Sequence, residues 1–243
     1  MKADDEVYIS PTKTANSWKL KRADLIAGDR ECWEHVIRDY FSDRLYSRYL
    51  APIETLERMS LSSGEGFAIV TIQCSLIEFL ESCFQGKNYR FAKKCGKFEY
   101  SRSSEIFVSF LQNREPFNSE FSRKFAKSFY EGVRCGLLHE AATTDGWKIR
   151  LGSGERVLDK KNKIVFRDAF QIALLKYIEG YKELLLTCKT SQDAFIRKFD
   201  NIAANTVLKP YSLTVSAVRE ASRPGAVPLP AARATKPNDA SRN

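Results

Sequence analysis

The chain predicts a mainly α-helical bundle of five or six helices with one small β-hairpin insertion. Three observations carry that prediction. Apolar residues recur every three or four positions in long segments, as one face of a helix requires. Those segments are bounded by capping residues, glycines and prolines. Only residues 147–166 change to short alternating runs, "WKIRL", "RVLD" and "KIVF", separated by Gly, Asp and Asn.

Residues 1–27 show no clear period and read as a partly ordered arm ahead of a domain spanning 28–209. In "DRECWEHVIRDYFSDRLYSRYL", Trp33, Ile37, Tyr40, Phe41, Leu45 and Tyr49 share a helical face, and Asp29 is placed as its N-cap. Pro52 interrupts or restarts this helix, and a short segment runs to about Met59. Ser63 precedes the next helix, about 65–85, which Gly86 ends. "SSEIFVSFLQNR" is a short helix ended by Pro116. Asn118 and Ser119 can cap the following helix, with Glu120 in its first turn. That helix carries Phe121, Phe125, Phe129, Val133 and Leu137 and closes around Thr143 to Gly146. Helical spacing returns at about 167–187 and again at 192–208. From Pro210 to Asn243 the chain is rich in Pro, Ala and Arg and reads as a disordered, basic tail.

The composition limits the function classes. A net charge of +9 favours polyanionic partners, nucleic acid first. The six cysteines show no CxxC spacing and read as reduced core thiols, and with two histidines no metal site is expected. The N-terminus is polar and acidic, unlike a signal peptide. The apolar run Phe67–Leu80 is short for a membrane span and contains Gln73 and Glu78. A soluble, cytoplasmic protein with no membrane partner is therefore expected. Lys87, Arg90, Lys93, Lys94 and Lys97 make residues 87–100 basic, and both an RNA-facing patch and a solvated linker fit that run.

The chemistry-bearing motif is "YEGVRCGLLHEAATTDGW", in which Arg134 and His139 sit near the end of an apolar helix. An imidazole exchanges protons near neutral pH. A guanidinium stays charged and offers a planar fork to phosphate oxygens. Together they suit metal-free attack of a ribose 2′-OH on the adjacent phosphate. Spacing alone does not single out this pair, because Arg30 and His35 repeat it. Context does: Gly136 interrupts the apolar helix at Arg134, at a helix cost of roughly 1 kcal/mol against alanine. Close approach of another helix or a phosphate backbone would account for it.

"VRCGLLHEA", in an all-helical setting, resembles the active-site motif of HEPN domains, the nucleotide-binding domains shared by higher eukaryotes and prokaryotes. Their signature is an arginine, four to six residues, then a histidine. The resemblance spans residues 30–208 and is strongest over 65–85, with "IQCSLIEFLES", and 119–186. It implies a homodimer with a composite site of two arginines and two histidines. It implies an endoribonuclease without metal or other cofactor, acting in a toxin–antitoxin or phage-defence setting beside an antitoxin or sensor protein. Carried over, Arg134 binds the phosphate and His139 moves protons. Cys135 departs from the polar residue often found after the arginine.

Neighbouring residues add expectations. Five positions on a straight helix turn the side chain by about 140° and advance about 7.5 Å, which favours a site shared between two copies. Gly132 and Gly136 would allow those helices to approach. Tyr130 shares the side of Arg134 and either touches RNA or packs; Glu131 pairs with Arg134 or is solvated; Glu78, in the most apolar helix, needs a partner, and either orients Arg134 or makes a structural hydrogen bond. Cys135 and His139 also share a face, but no Asn or Asp orienter accompanies them. A catalytically silent dimer that binds RNA or a protein is the second reading. A DNA-binding regulator is the third, without clear helix-turn-helix spacing.

Overall fold

The computed structural model describes residues 7–27, 29–59, 64–152, 154 and 156–206. Ser63 and the tail after Thr206 lie outside them. The protein is mainly α, with seven helices among the described residues.

Helix α1, Ala15–Ala27, lies within the residues expected to form a partly ordered arm. It is part of the bundle. Trp18 and Leu25 are buried in the common core, and the Trp18 ring meets Phe195 and Phe199 at 6.3 and 5.3 Å. Its indole N–H and the Arg22 guanidinium both donate to Asp200. The boundary expected at residue 28 therefore separates nothing. The segment is lysine-rich and has few large apolar residues, so its period is faint.

Helix α2 runs unbroken over residues 30–58. Asp29 caps it by accepting from the Cys32 N–H. It is α-helical at Arg30–Val36, Asp43–Leu45 and Ala51–Arg58, with π turns at Ile37–Ser42 and Tyr46–Leu50. Pro52 does not break it. The wider turn just before the proline relieves the clash its ring would make with the preceding turn's carbonyl.

Helix α3, Glu65–Gln85, is the central element and buries Ile69, Val70, Gln73, Cys74, Leu76, Ile77 and Leu80. Its 21 residues are long and apolar enough to cross a membrane by length and composition, exceeding the shorter run read from the sequence. Here 56% of its apolar window is buried inside the protein. Gly86 ends it at φ 61°, and the Gly86 and Lys87 amides bond back to the last turn. A Cβ at Gly86 would meet the Ala194 backbone at 2.8 Å, so this glycine also permits close helix packing.

The basic segment holds two short parallel strands, β1 (Asn88–Tyr89) and β2 (Glu99–Tyr100). Helix α4, Ser103–Asn113, is followed by a 3-10 turn at Phe117–Ser119. Asn118 and Ser119 belong to that turn and are not the cap. Ser122 caps α5 by accepting from the Phe125 N–H, and Glu120 lies ahead of the helix, paired with Lys160 at 3.4 Å.

Helix α5 runs over 123–139: α-helical at Arg123–Phe129, π-helical at Tyr130–Cys135, and α-helical again at Gly136–His139. Strands β3 (Lys148–Arg150), β4 (Leu158–Asp159) and β5 (Ile164–Phe166) follow in the sheet order β3-β5-β4. The β4–β5 pair is antiparallel; β3 adds to β5 in parallel, a pairing that alternation alone does not reveal. Helices α6, Arg167–Thr187, and α7, Lys189–Thr206, complete the bundle.

The core is aromatic. Phe107, Phe117, Phe121, Phe129 and Phe170 form one side, and Trp18, Trp33, Phe41, Phe195 and Phe199 the other. Of the six cysteines, Cys32, Cys74 and Cys83 are core thiols, while Cys95 is exposed and Cys135 and Cys188 are half-buried. The expectation of six core thiols fails for the last three.

Candidate functional site

Arg134 sits in the π turn of α5, with 21% of its side chain exposed. A π turn shifts side chains off the ordinary helical stripe, and such turns are frequent at functional sites. Arg134 lines an open cavity of about 320 Å³ between α2, α3 and α5. Arg48, Tyr49, Thr71, Ser75 and Glu78 contribute the other polar walls.

Glu78 meets Arg134 as the sequence suggested, at 3.6 Å between Oε2 and the guanidinium. Its other oxygen accepts from Tyr100 at 3.1 Å and Ser103 at 2.7 Å. Three groups therefore fix this carboxylate, and it fixes one edge of the guanidinium. The Tyr130 ring lies 5.3 Å from Arg134 Cζ and 5.3 Å from Phe107 in an edge contact. Burial raises the Tyr130 hydroxyl above its ordinary pKa, against the opposing pull of Arg134. The phenol thus stays neutral and supports Arg134 through its ring face.

His139 ends α5 and is exposed. It does not line the cavity that holds Arg134, and its side chain has no hydrogen-bond or ion-pair partner among the described residues. One chain therefore does not bring the two motif residues together. Glu131 is also exposed and pairs with Lys127 at 3.7 Å, so it does not hold the Arg134 fork.

The glycines have a local explanation. A Cβ at Gly132 would meet the Trp147 ring at 2.4 Å, and one at Gly136 the Ala142 carbonyl at 2.5 Å. The Thr144 amide bonds to the Gly132 carbonyl at 2.7 Å. The chain's own loop returns across α5, so the glycines give no support to a close approach by a second copy.

Sequence reasoning missed Arg48. It is exposed on α2, with no carboxylate partner among the described residues. Only the folding of α2 against α3 brings it to the cavity wall opposite the motif. Cys74 also lines the cavity, but burial pushes its thiol up to about 12, with Arg134 opposing. It remains a neutral thiol near neutral pH. Among the described residues no three His, Cys, Asp or Glu side chains are grouped to hold a metal.

Of the basic segment, Arg90, Lys93, Lys94 and Lys97 are exposed and Lys87 is half-buried. They do not line the Arg134 cavity. Arg90 pairs with Glu99 at 2.9 Å, and Lys97 lies over the Phe98 ring.

Comparison with protein-family models, curated proteins and solved structures found no match.

Proposed function

We propose that the protein is a metal-independent endoribonuclease of HEPN type, working as a homodimer in the cytoplasm. The observation that supports it best is the setting of Arg134. Its guanidinium is held on one edge by Glu78 and on one face by Tyr130, at the wall of an open cavity. Its remaining donors suit a phosphate oxygen. His139 is exposed at the end of the same helix, and in this reading it meets RNA or a second copy rather than its own Arg134.

In this reading the 2′-oxygen bonds to phosphorus as its proton passes to an imidazole. The P–O5′ bond breaks, and the departing oxygen takes a proton from an imidazolium. Arg134 stabilises the added negative charge on the crowded phosphate. The products are a 2′,3′-cyclic phosphate and a free 5′-hydroxyl. The toxin–antitoxin or phage-defence setting, with an antitoxin or sensor as further partner, rests on the motif's resemblance.

The second reading is a silent helical protein that binds RNA or a protein. The separation of His139 from the Arg134 cavity favours it. Labelled RNA incubated with pure protein and EDTA decides between them. Cyclic phosphate ends that disappear with His139→Ala support the nuclease; retention without cleavage supports the binding protein.

A further inference from the structure

The segment between β1 and β2 carries a feature that its basic charge alone did not reveal. Phe91 is 98% exposed, the most exposed large apolar side chain in the described structure. Tyr89, two residues earlier, is 48% exposed. Around them stand Arg90, Lys93, Lys94 and Lys97, all exposed. Glu99, the acid at the start of β2 that closes the loop, is engaged by Arg90 and by the Gly96 amide at 2.9 Å each. Phe98 anchors the loop's base, with the Arg197 guanidinium 4.0 Å from its ring centroid. An aromatic face held in water among cations is what stacked bases and their phosphates require.

Side-chain contacts link this loop to the Arg134 cavity. The Tyr89 ring meets Tyr100 edge-on at 5.6 Å. The Tyr100 hydroxyl donates to Glu78, and Glu78 pairs with Arg134. The platform and the candidate phosphate site thus share one chain of contacts across β2 and α3.

We propose that the 87–98 loop is a single-stranded RNA platform, on which a base stacks against Phe91 and neighbouring phosphates meet Lys93 and Lys94. Single strands fit because a duplex hides its base faces in its own stack. The inference rests on the nuclease reading for the identity of its ligand, but its test does not require cleavage.

The test uses a fluorescent 2′-O-methyl oligonucleotide, which lacks the attacking hydroxyl, as a single strand and as a blunt duplex. Polarisation is read against salt for wild type, Phe91→Ala, Phe91→Trp and the Lys93→Gln/Lys94→Gln pair. The single strand is expected to bind at least tenfold more tightly than the duplex. Phe91→Ala should weaken it about 5- to 150-fold, the range for one stacked base, and Phe91→Trp should restore it. The lysine pair should lower the log–log salt slope by about 0.7 for each phosphate no longer neutralised. Equal binding by wild type and Phe91→Ala, or equal binding of strand and duplex, overturns the platform. Absence of binding to either overturns it too and leaves the face to a protein partner. Selective binding with no cleavage of the matching ribo-oligonucleotide upholds the platform and sinks the nuclease reading. Because the Phe91 side chain is in water, its variants should melt as wild type does.

Discussion

Arg30 and His35 open helix α2, while Arg134 and His139 close helix α5, with four residues between the members of each pair. Their surroundings differ. Arg30 lies in water and pairs with Glu34 one turn along, both more than half exposed. Such a pair on a helix surface contributes roughly 0.3–0.5 kcal/mol. Arg134 stands in a cavity wall, between a carboxylate from another helix and an aromatic ring. Glu78, which orients it, is itself tied to β2 and α4 by Tyr100 and Ser103. The difference shows what spacing cannot supply. A guanidinium becomes a phosphate site when other elements fix its direction and leave its donors open.

The largest expected effect breaks or upholds that contrast. Arg134→Ala and His139→Ala should each lower RNA cleavage by about 10² to 10⁴-fold. Arg30→Ala and His35→Ala should leave initial rates within about twofold of wild type, since loss of a surface ion pair changes little. Circular dichroism of Arg134→Ala should match wild type, because Glu78 keeps two other donors. Normal cleavage by His139→Ala with a dead His35→Ala would move the site to the other pair.

The second contrast lies within α3, between Glu78 and Glu81. Glu81 is fully buried and takes a bidentate bond from Arg114, at 2.8 and 3.0 Å, with further bonds from Ser109 and Gln85. Arg114 in turn stacks 3.5 Å from the Phe84 ring centroid. Glu81→Ala should therefore destabilise the fold by about 3 kcal/mol, the lower end for breaking a buried ion pair, because Arg114 is itself partly exposed. Denaturant unfolding measures it. Glu78→Gln should cost less stability, since an amide oxygen still accepts from Tyr100 and Ser103. Its cleavage rate should fall through loss of Arg134 orientation. An equal stability loss in both variants would make Glu78 a structural residue like Glu81.

These elements also show what the sequence could disclose. Asp29 as a cap and Gly86 as a stop are local signals, and both hold in the structure. Glu78 announced a need for partners by its apolar surroundings, and these are Ser103, Tyr100 and Arg134. Glu81 sat in the same helix with the same need and went unread, because its partner lies beyond α4. Helix α1 was illegible because few apolar anchors stand among its charges. Gly132 and Gly136 were read as a helix-contact surface, but they accommodate Trp147 and the loop before it. A glycine reports that something comes close; only the fold says what.

Arg48 sharpens the comparison from the opposite wall of the cavity. It is free of a carboxylate partner among the described residues, and in the nuclease reading it takes a second phosphate of a strand bound at Arg134. Arg48→Ala should weaken binding of the uncleavable oligonucleotide roughly fivefold to tenfold, the net worth of one ordinary hydrogen bond, because the site is open to water, and should reduce the salt slope by about 0.7. The maximal cleavage rate should change less than the half-saturating concentration. Unchanged affinity and slope would remove Arg48 from the site.

The smallest expected effect concerns Cys135, which separates an Arg–His site from a Cys–His one. Cys135 is half-buried and stands near Tyr130, whose ring supports Arg134. A thiol nucleophile also needs a base held in place by a third group. His139, four residues on, has no such group among the described residues. Cys135→Ser keeps a small side chain of similar shape, while an alkoxide forms far less readily than a thiolate. Cleavage should therefore remain within about twofold of wild type if the thiol only packs, whereas loss of a general or nucleophilic catalyst would cost about 10² or more. Cys135→Ala removes the sulfur altogether and should act a little more strongly, through looser packing beside Tyr130. If the serine variant keeps its fold and loses cleavage entirely, the sulfur attacks the substrate, and Arg134 serves a thiol rather than a ribose hydroxyl.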